Sequence, residues 1–181
     1  MSNKKKYIMT SITLGAIASI SAVLIALSNL ATKDKIAQNE IDRINAGITN
    51  IFGKNAVISA QKSINEYGLT IDTSYISTVY TVKNNENTEL GLAFRTTGSN
   101  SYGKISLLAG FDKTTKTFMK VSLIINEQSF ASTLVDNYVN PLNNGDLNIS
   151  DKPVNVGATR GAELVQKMVL QAQDAALEIW K

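Results

Sequence analysis

Residues 151–165 read DKPVNVGATRGAELV, the stretch of this chain whose residue types and spacing point to chemistry. Gly157 and Ala158 are small, Thr159 carries a hydroxyl, and a helical apolar periodicity begins directly after them. A hydroxyl residue at that place is a preferred helix N-cap. The first-turn amides of such a helix have no carbonyl partner within it, and the helix dipole adds partial positive charge, so the position attracts an anion. Arg160 contributes a fixed cation, and Gly161 lets a bound group come close to the main chain. These residues support two readings: a plain capped helix after a glycine turn, or a seat for a phosphate group beside a hydroxyl.

Composition removes most alternatives. The chain has no histidine and no cysteine. That excludes disulfides, thiol nucleophiles, Cys/His zinc sites, iron–sulfur clusters and His- or Cys-ligated haem. It also excludes a Ser–His–Asp triad. Redox chemistry, if any, must then reside in an organic cofactor or a carboxylate-held metal. Asp146 and Asp151 lack the dense oxygen-ligand loop of a calcium site, so we assign no metal ligand and no catalytic side chain. The formal charge of +3 comes from Lys4, Lys5 and Lys6: without them, 18 − 3 = 15 basic residues face 15 acidic ones. A neutral body with no basic stripe is not a nucleic-acid binder.

Several elements must position the 151–165 stretch. Tyr7–Thr32 holds 26 residues without a charge, and about 20 suffice for a helix to cross a bilayer. Lys4–Lys6 precede it, while the weaker cluster Lys33, Asp34 and Lys35 follows, so the positive-inside rule puts the N-terminus in the cytoplasm. The competing reading is a signal peptide cleaved near Ala26-Leu27-Ser28, but the apolar run exceeds the 7–15 residues of such segments. The expected division is a cytoplasmic basic tail over 1–6, a single-pass anchor over 7–32 and an extracytoplasmic domain over 33–181.

Within that domain, Ile41, Ile44, Ile48 and Ile51 recur at helical spacing over 33–52 and stop at Gly53. Strands are expected at 76–83, 89–97, 103–112 and 117–126, joined by Asn84–Asn87, Gly98–Ser101 and Lys113–Lys116 as an antiparallel meander. Residues 129–139 suggest a short helix ended by Pro141 and Asn143-Asn144-Gly145. A final helix over 160–180 carries the stripe Leu164, Val165, Met168, Ala172, Ala175, Ala176 and Ile179, and Trp180 is expected to pack it onto the sheet. The fold class is α+β: an antiparallel sheet packed with helices, preceded by one N-terminal transmembrane helix.

At Gly157-Ala158-Thr159, with Asp151 upstream and an amphipathic helix downstream, the sequence resembles the flavinylation motif of the FMN-binding domain family. That family includes flavin-bearing components of the Rnf electron-transport complex and of the sodium-translocating NADH:quinone reductase. Tyr102-Gly103, the two apolar strands that follow, Glu127 and the single N-terminal anchor match the family layout more loosely. The resemblance implies FMN bound covalently to Thr159 through a phosphoester, placed there by a separate flavin transferase that takes FMN from FAD. It also implies an electron carrier among other electron-transport subunits, in a complex of the kind that transports ions, rather than a stand-alone catalyst. Gly157, Ala158, Arg160 and Gly161 would form the attachment site. Tyr102 would touch the flavin or serve only as a strand-start residue, and Glu127 would accept a bond from the cofactor or be a solvated strand end. Two segments depart from the family pattern: Val156 stands where Ser or Thr is usual, and Gln128–Ser132 (QSFAS) where Thr-Pro-Gly-Leu-Gly is common. The second departure motivates an alternative, a membrane-tethered binding module that kept the fold and lost the flavin; an adhesion-type domain is a third reading.

Overall fold

The computed structural model describes residues 3–181; Met1 and Ser2, part of the basic tail expected over 1–6, lie outside the described residues. The chain divides into two compact units, Met1–Asp42 and Arg43–Lys181. Helix α1, Asn3–Phe52, runs through the boundary expected at 32/33 without a break, so the anchor and the amphipathic helix are one element. In the first unit its side chains from Tyr7 to Lys33 are exposed on every side, apolar ones included. An all-round apolar helix of this kind suits a bilayer, and among the described residues it is the one helix long and apolar enough to cross a membrane.

The second unit is an antiparallel meander in the order β1-β2-β3-β4-β5. The strands are β1 Val57–Ser63, β2 Ile76–Lys83, β3 Glu89–Asn100, β4 Gly103–Asp112 and β5 Phe118–Asn126. Strand alternation sends the buried side chains to both faces. On one face Ile105, Leu107, Ala109 and Phe111 of β4 join Leu92, Phe94 and Val79 against the last helix, α4 (Thr159–Ile179). The apolar stripe read in the sequence is buried there, from Leu164 to Ala176, and Trp180 packs against the same cluster. On the other face Tyr80, Val82, Ala93 and Leu108 meet Ile44, Ile48 and Ile51 from the end of α1. Gly110 makes that second contact close: a Cβ there would run into Ile51 Cγ2. The arrangement is α+β, as the residue pattern requires.

Strand β1 and the path through Pro141 differ from expectation. Strand β1 adds an edge to the meander, and it is almost wholly exposed, which is why it shows no hydrophobic alternation. The chain between β1 and β2 is held by α4, whose Gln171 and Glu178 carboxamide and carboxylate oxygens accept bonds from the amides of Tyr75 and Thr70 at 2.8 and 3.0 Å. Pro141 does not stop the short helix. Helical turns continue from α2 (Ala131–Leu134) through a π-helical segment, Val135–Val139, into α3 (Asn140–Asn144). The amide of Asn140 bonds back to Val135 O in the widened turn, and proline, which has no amide to place, follows directly.

The two sheet edges are treated differently. On β5, the Asn143 side chain donates to Val121 O at 2.9 Å and accepts from Val121 N at 2.8 Å, standing in for a neighbouring strand. On β1, the register slips between Ile58 and Ala60, and the extra residue, Ser59, donates its hydroxyl to Thr81 O at 3.1 Å.

Candidate functional site

Three connections converge where α4 begins. The β3–β4 turn brings Tyr102, the β5–α2 connection brings Gln128 and Phe130, and the loop before α4 brings Gly157 and Ala158. Together with Thr159, Arg160 and Gly161 they line a half-open cavity of about 220 Å³. Six of the seven residues singled out in the sequence therefore meet in one place. The seventh, Glu127, has an exposed side chain outside that lining. Its contribution is main-chain: its amide donates to Lys104 O at 2.9 Å, and its carbonyl comes so near Gly103 that no side chain fits there.

The loop geometry explains how a hydroxyl reaches this position. Asn155 and Gly157 take left-handed conformations, φ 56° and 73°, on either side of Val156. Asparagine tolerates that region and glycine adopts it freely. Gly157 also lies close under Thr133: a Cβ would sit 2.9 Å from Thr133 Cγ2. Asn137 Nδ2 fixes the loop by donating to Val156 O at 3.1 Å. Val156, where the family pattern has a hydroxyl, turns inward and joins the core.

Thr159 is not the N-cap. Ala158 occupies that position, with φ −128° and ψ 43° and no side-chain bond to the helix, and Thr159 is the first helical residue. Ala158 is buried in the core cluster, and the helix starts one residue earlier than a Thr159 cap would place it. The hydroxyl is thus not spent on capping. The first-turn amides of Thr159, Arg160 and Gly161 have no intrahelical acceptor, and no acidic side chain lies in that turn. Gly161 leaves less room than its size suggests. The space beside its Cα is taken by Leu134 Cδ2 and Gln128 Oε1, to which a Cβ would come within 3.2 and 3.3 Å.

Hydrogen bonds tie the three connections together. Asn100 accepts from Tyr102 N at 2.8 Å and donates to Arg160 O at 3.1 Å, linking the hairpin to the helix start. Ser129 donates its amide and its hydroxyl to Tyr102 O, at 3.0 and 3.3 Å. Gln128, 7% exposed, donates its side-chain amide to Gly103 O. At the mouth, Tyr102 and Phe130 are 41% and 52% exposed with ring centroids 5.9 Å apart. On the other side of Thr159 lies a second, shallower hollow of about 550 Å³, bordered by Tyr75, Glu163 and Lys167.

Asn100, Gln128, Ser129 and Phe130 carry no mark of the site in the sequence pattern. Each is ordinary in its local context and matters only because distant hairpin tips meet. The one available signal is Gln128–Ser132, which departs from the family pattern in a loop next to the site.

A hydroxyl on a half-buried residue, three first-turn amides and a guanidinium form a donor set suited to a phosphodiester. A cavity of about 220 Å³ is smaller than the roughly 300–1,000 Å³ that enclose a whole drug-sized ligand. The residues fit FMN tied by its phosphate, with much of the molecule outside the cavity.

Comparison with known proteins bears on the other end of the chain. A family model described as the RnfG N-terminal region matches residues 1–47, 47 of the 181 residues. The match covers the membrane-length stretch of α1 and the first turns that pack on the sheet; the cavity residues lie beyond it. No curated protein matches the chain.

Proposed function

We propose that this chain is a membrane-anchored flavoprotein subunit of an Rnf-type electron-transport complex, with FMN esterified to Thr159 and the domain on the extracytoplasmic side. The observation that carries the reading is Thr159 itself: a hydroxyl not used for capping at the positive end of α4, in one cavity with Gly157, Ala158, Arg160, Gly161 and Tyr102. The similarity of residues 1–47 to the RnfG N-terminal region supports the same assignment independently of the cavity.

In attachment, the Thr159 oxygen would form a bond to the FMN phosphorus of FAD while its proton departs and AMP leaves, under a flavin transferase. Bound FMN supplies one- and two-electron transfer. The protein's part is to hold and orient. The α4 amides and Arg160 offset the diester's negative charge, and Gly157 sets the angle at which Thr159 leaves the loop. A covalent link makes retention independent of dissociation, which suits a carrier outside the membrane. The division into 1–6, 7–32 and 33–181 remains part of this proposal, as does the cytoplasmic N-terminus.

Coexpression with a flavin transferase tests the reading. The wild-type protein should gain the mass of one FMN less one water and fluoresce as a denatured gel band. Thr159→Ala should do neither, and Thr159→Ser should keep both. An unmodified wild type would favour the binding module that has lost flavin, and flavin persisting on Thr159→Ala would remove the assignment to this residue.

A further inference from the structure

We infer that Tyr102 and Phe130 are the rest on which the flavin ring lies, outside the cavity and open to solvent on its far face; this rests on the Thr159 reading above. The tether and the rest are separate parts of one site. The cavity at Thr159 has room for the phosphate and the start of the ribityl chain but not for a tricyclic ring as well. A ring attached there has to leave through the open side, and the exposed apolar side chains of the lining are the two aromatics. They are exposed to an extent that burial in a core does not explain, and their tilted arrangement with centroids 5.9 Å apart presents an apolar step to a third ring.

The step is held rigidly. Ser129 bonds twice to Tyr102 O, fixing the phenol's backbone to the residue beside Phe130. Phe130 in turn sits at the start of α2, where its carbonyl accepts from Leu134 N at 3.0 Å. Asn100 ties Tyr102 to Arg160 O, so the distance from tether to rest is set by the hairpin and helix rather than by a loose loop. The neighbouring hollow bordered by Tyr75 shares Thr159 and Arg160 with the cavity, but there Glu163 and Lys167 put charges against an apolar ring. Phe130 belongs to the QSFAS segment that departs from the family pattern, so the rest is a feature of this chain.

The experiment uses the full chain loaded by coexpression, with covalent FMN verified by intact mass in every variant before any ring measurement. Light-excited flavin takes an electron from a phenol in contact with it and returns it on relaxation, which dims emission with no net reaction. Tyr102→Phe should therefore brighten the native protein per bound FMN, with the denatured emission per bound FMN as the common reference. Phe130→Ala should shift the ratio of docked to free ring by about two- to tenfold, the range one aromatic contact commands, read as a loss of fluorescence anisotropy and of resolved absorption structure. Tyr75→Phe should change nothing. Equal mass and equal emission in Tyr102→Phe, or brightening in Tyr75→Phe instead, would overturn the rest and leave the attachment standing. Absence of FMN mass from the wild type would overturn both.

Discussion

At the residue scale, Gly157 is the most demanding position. Its φ of 73° is left-handed, and a methyl group there would press on Thr133 Cγ2. Gly157→Ala adds about 1–2 kcal/mol of backbone cost to that contact, so both the melting temperature and the fraction of chains that accept flavin should fall. Adding Thr133→Ser, which deletes the opposing methyl, should restore part of the loss; an unchanged melting temperature in the single variant would contradict the geometry. Tyr138 makes the opposite case. Its ring is buried, and its hydroxyl has no hydrogen-bond partner among the described residues. Burial, helped by the Asp151 carboxylate, pushes its pKa up to about 12 from 10.0. Because the folded value lies above the unfolded one, the stabilisation is complete below pH 10 and is lost as pH rises toward 12. Tyr138→Phe removes an unsatisfied hydroxyl, so it should be neutral or stabilising at pH 7 and should make the fall in melting temperature between pH 10 and 12 shallower. Thr159 is legible in the sequence because small residues, a hydroxyl and a helix start are all local signals. Asn100, Gln128 and Phe130 are not, since their roles depend on contacts between segments far apart in the chain.

At the element scale, the approach of α1 to the sheet depends on missing side chains. Gly110→Val would drive its branched side chain into Ile51, and overpacking of this kind costs roughly 1–3 kcal/mol. A thermal melt should show a drop of several degrees, and no drop would mean that the last turns of α1 do not sit on β4. Strands β2 to β5 can be read from sequence because β-branched runs are punctuated by Asn, Gly and Lys turns. Strand β1 cannot: VISAQKS buries almost nothing, so no periodicity marks it. The helix through Pro141 is hidden for a different reason. A proline breaks a regular α-turn, but the π-helical segment before it widens the turn, and that distortion is not encoded in any one residue type.

At the scale of the whole molecule, the absence of cysteine is an experimental opening. Single cysteines can be placed without background. With the proposed orientation, a membrane-impermeant maleimide added to intact cells should label Lys152→Cys and should reach Ser2→Cys only after permeabilisation. The reverse pattern would invert the topology and with it the extracytoplasmic assignment. The outline of the molecule is the most legible part of all: an apolar segment followed by a sheet between helices follows from hydrophobic run length and periodicity alone.

The unequal sheet edges carry a last consequence. An exposed strand edge is a template for another chain. Growth of molecules strand to strand into a fibre needs two such edges on every molecule, as a polymer needs a bifunctional monomer. Asn143 occupies the hydrogen-bonding groups of Val121 on one edge, and the other carries only a bulge at Ser59. A second copy arriving edge-on would therefore find Val121 of β5 already engaged by Asn143, whereas along β1 it would meet only the local irregularity at Ser59.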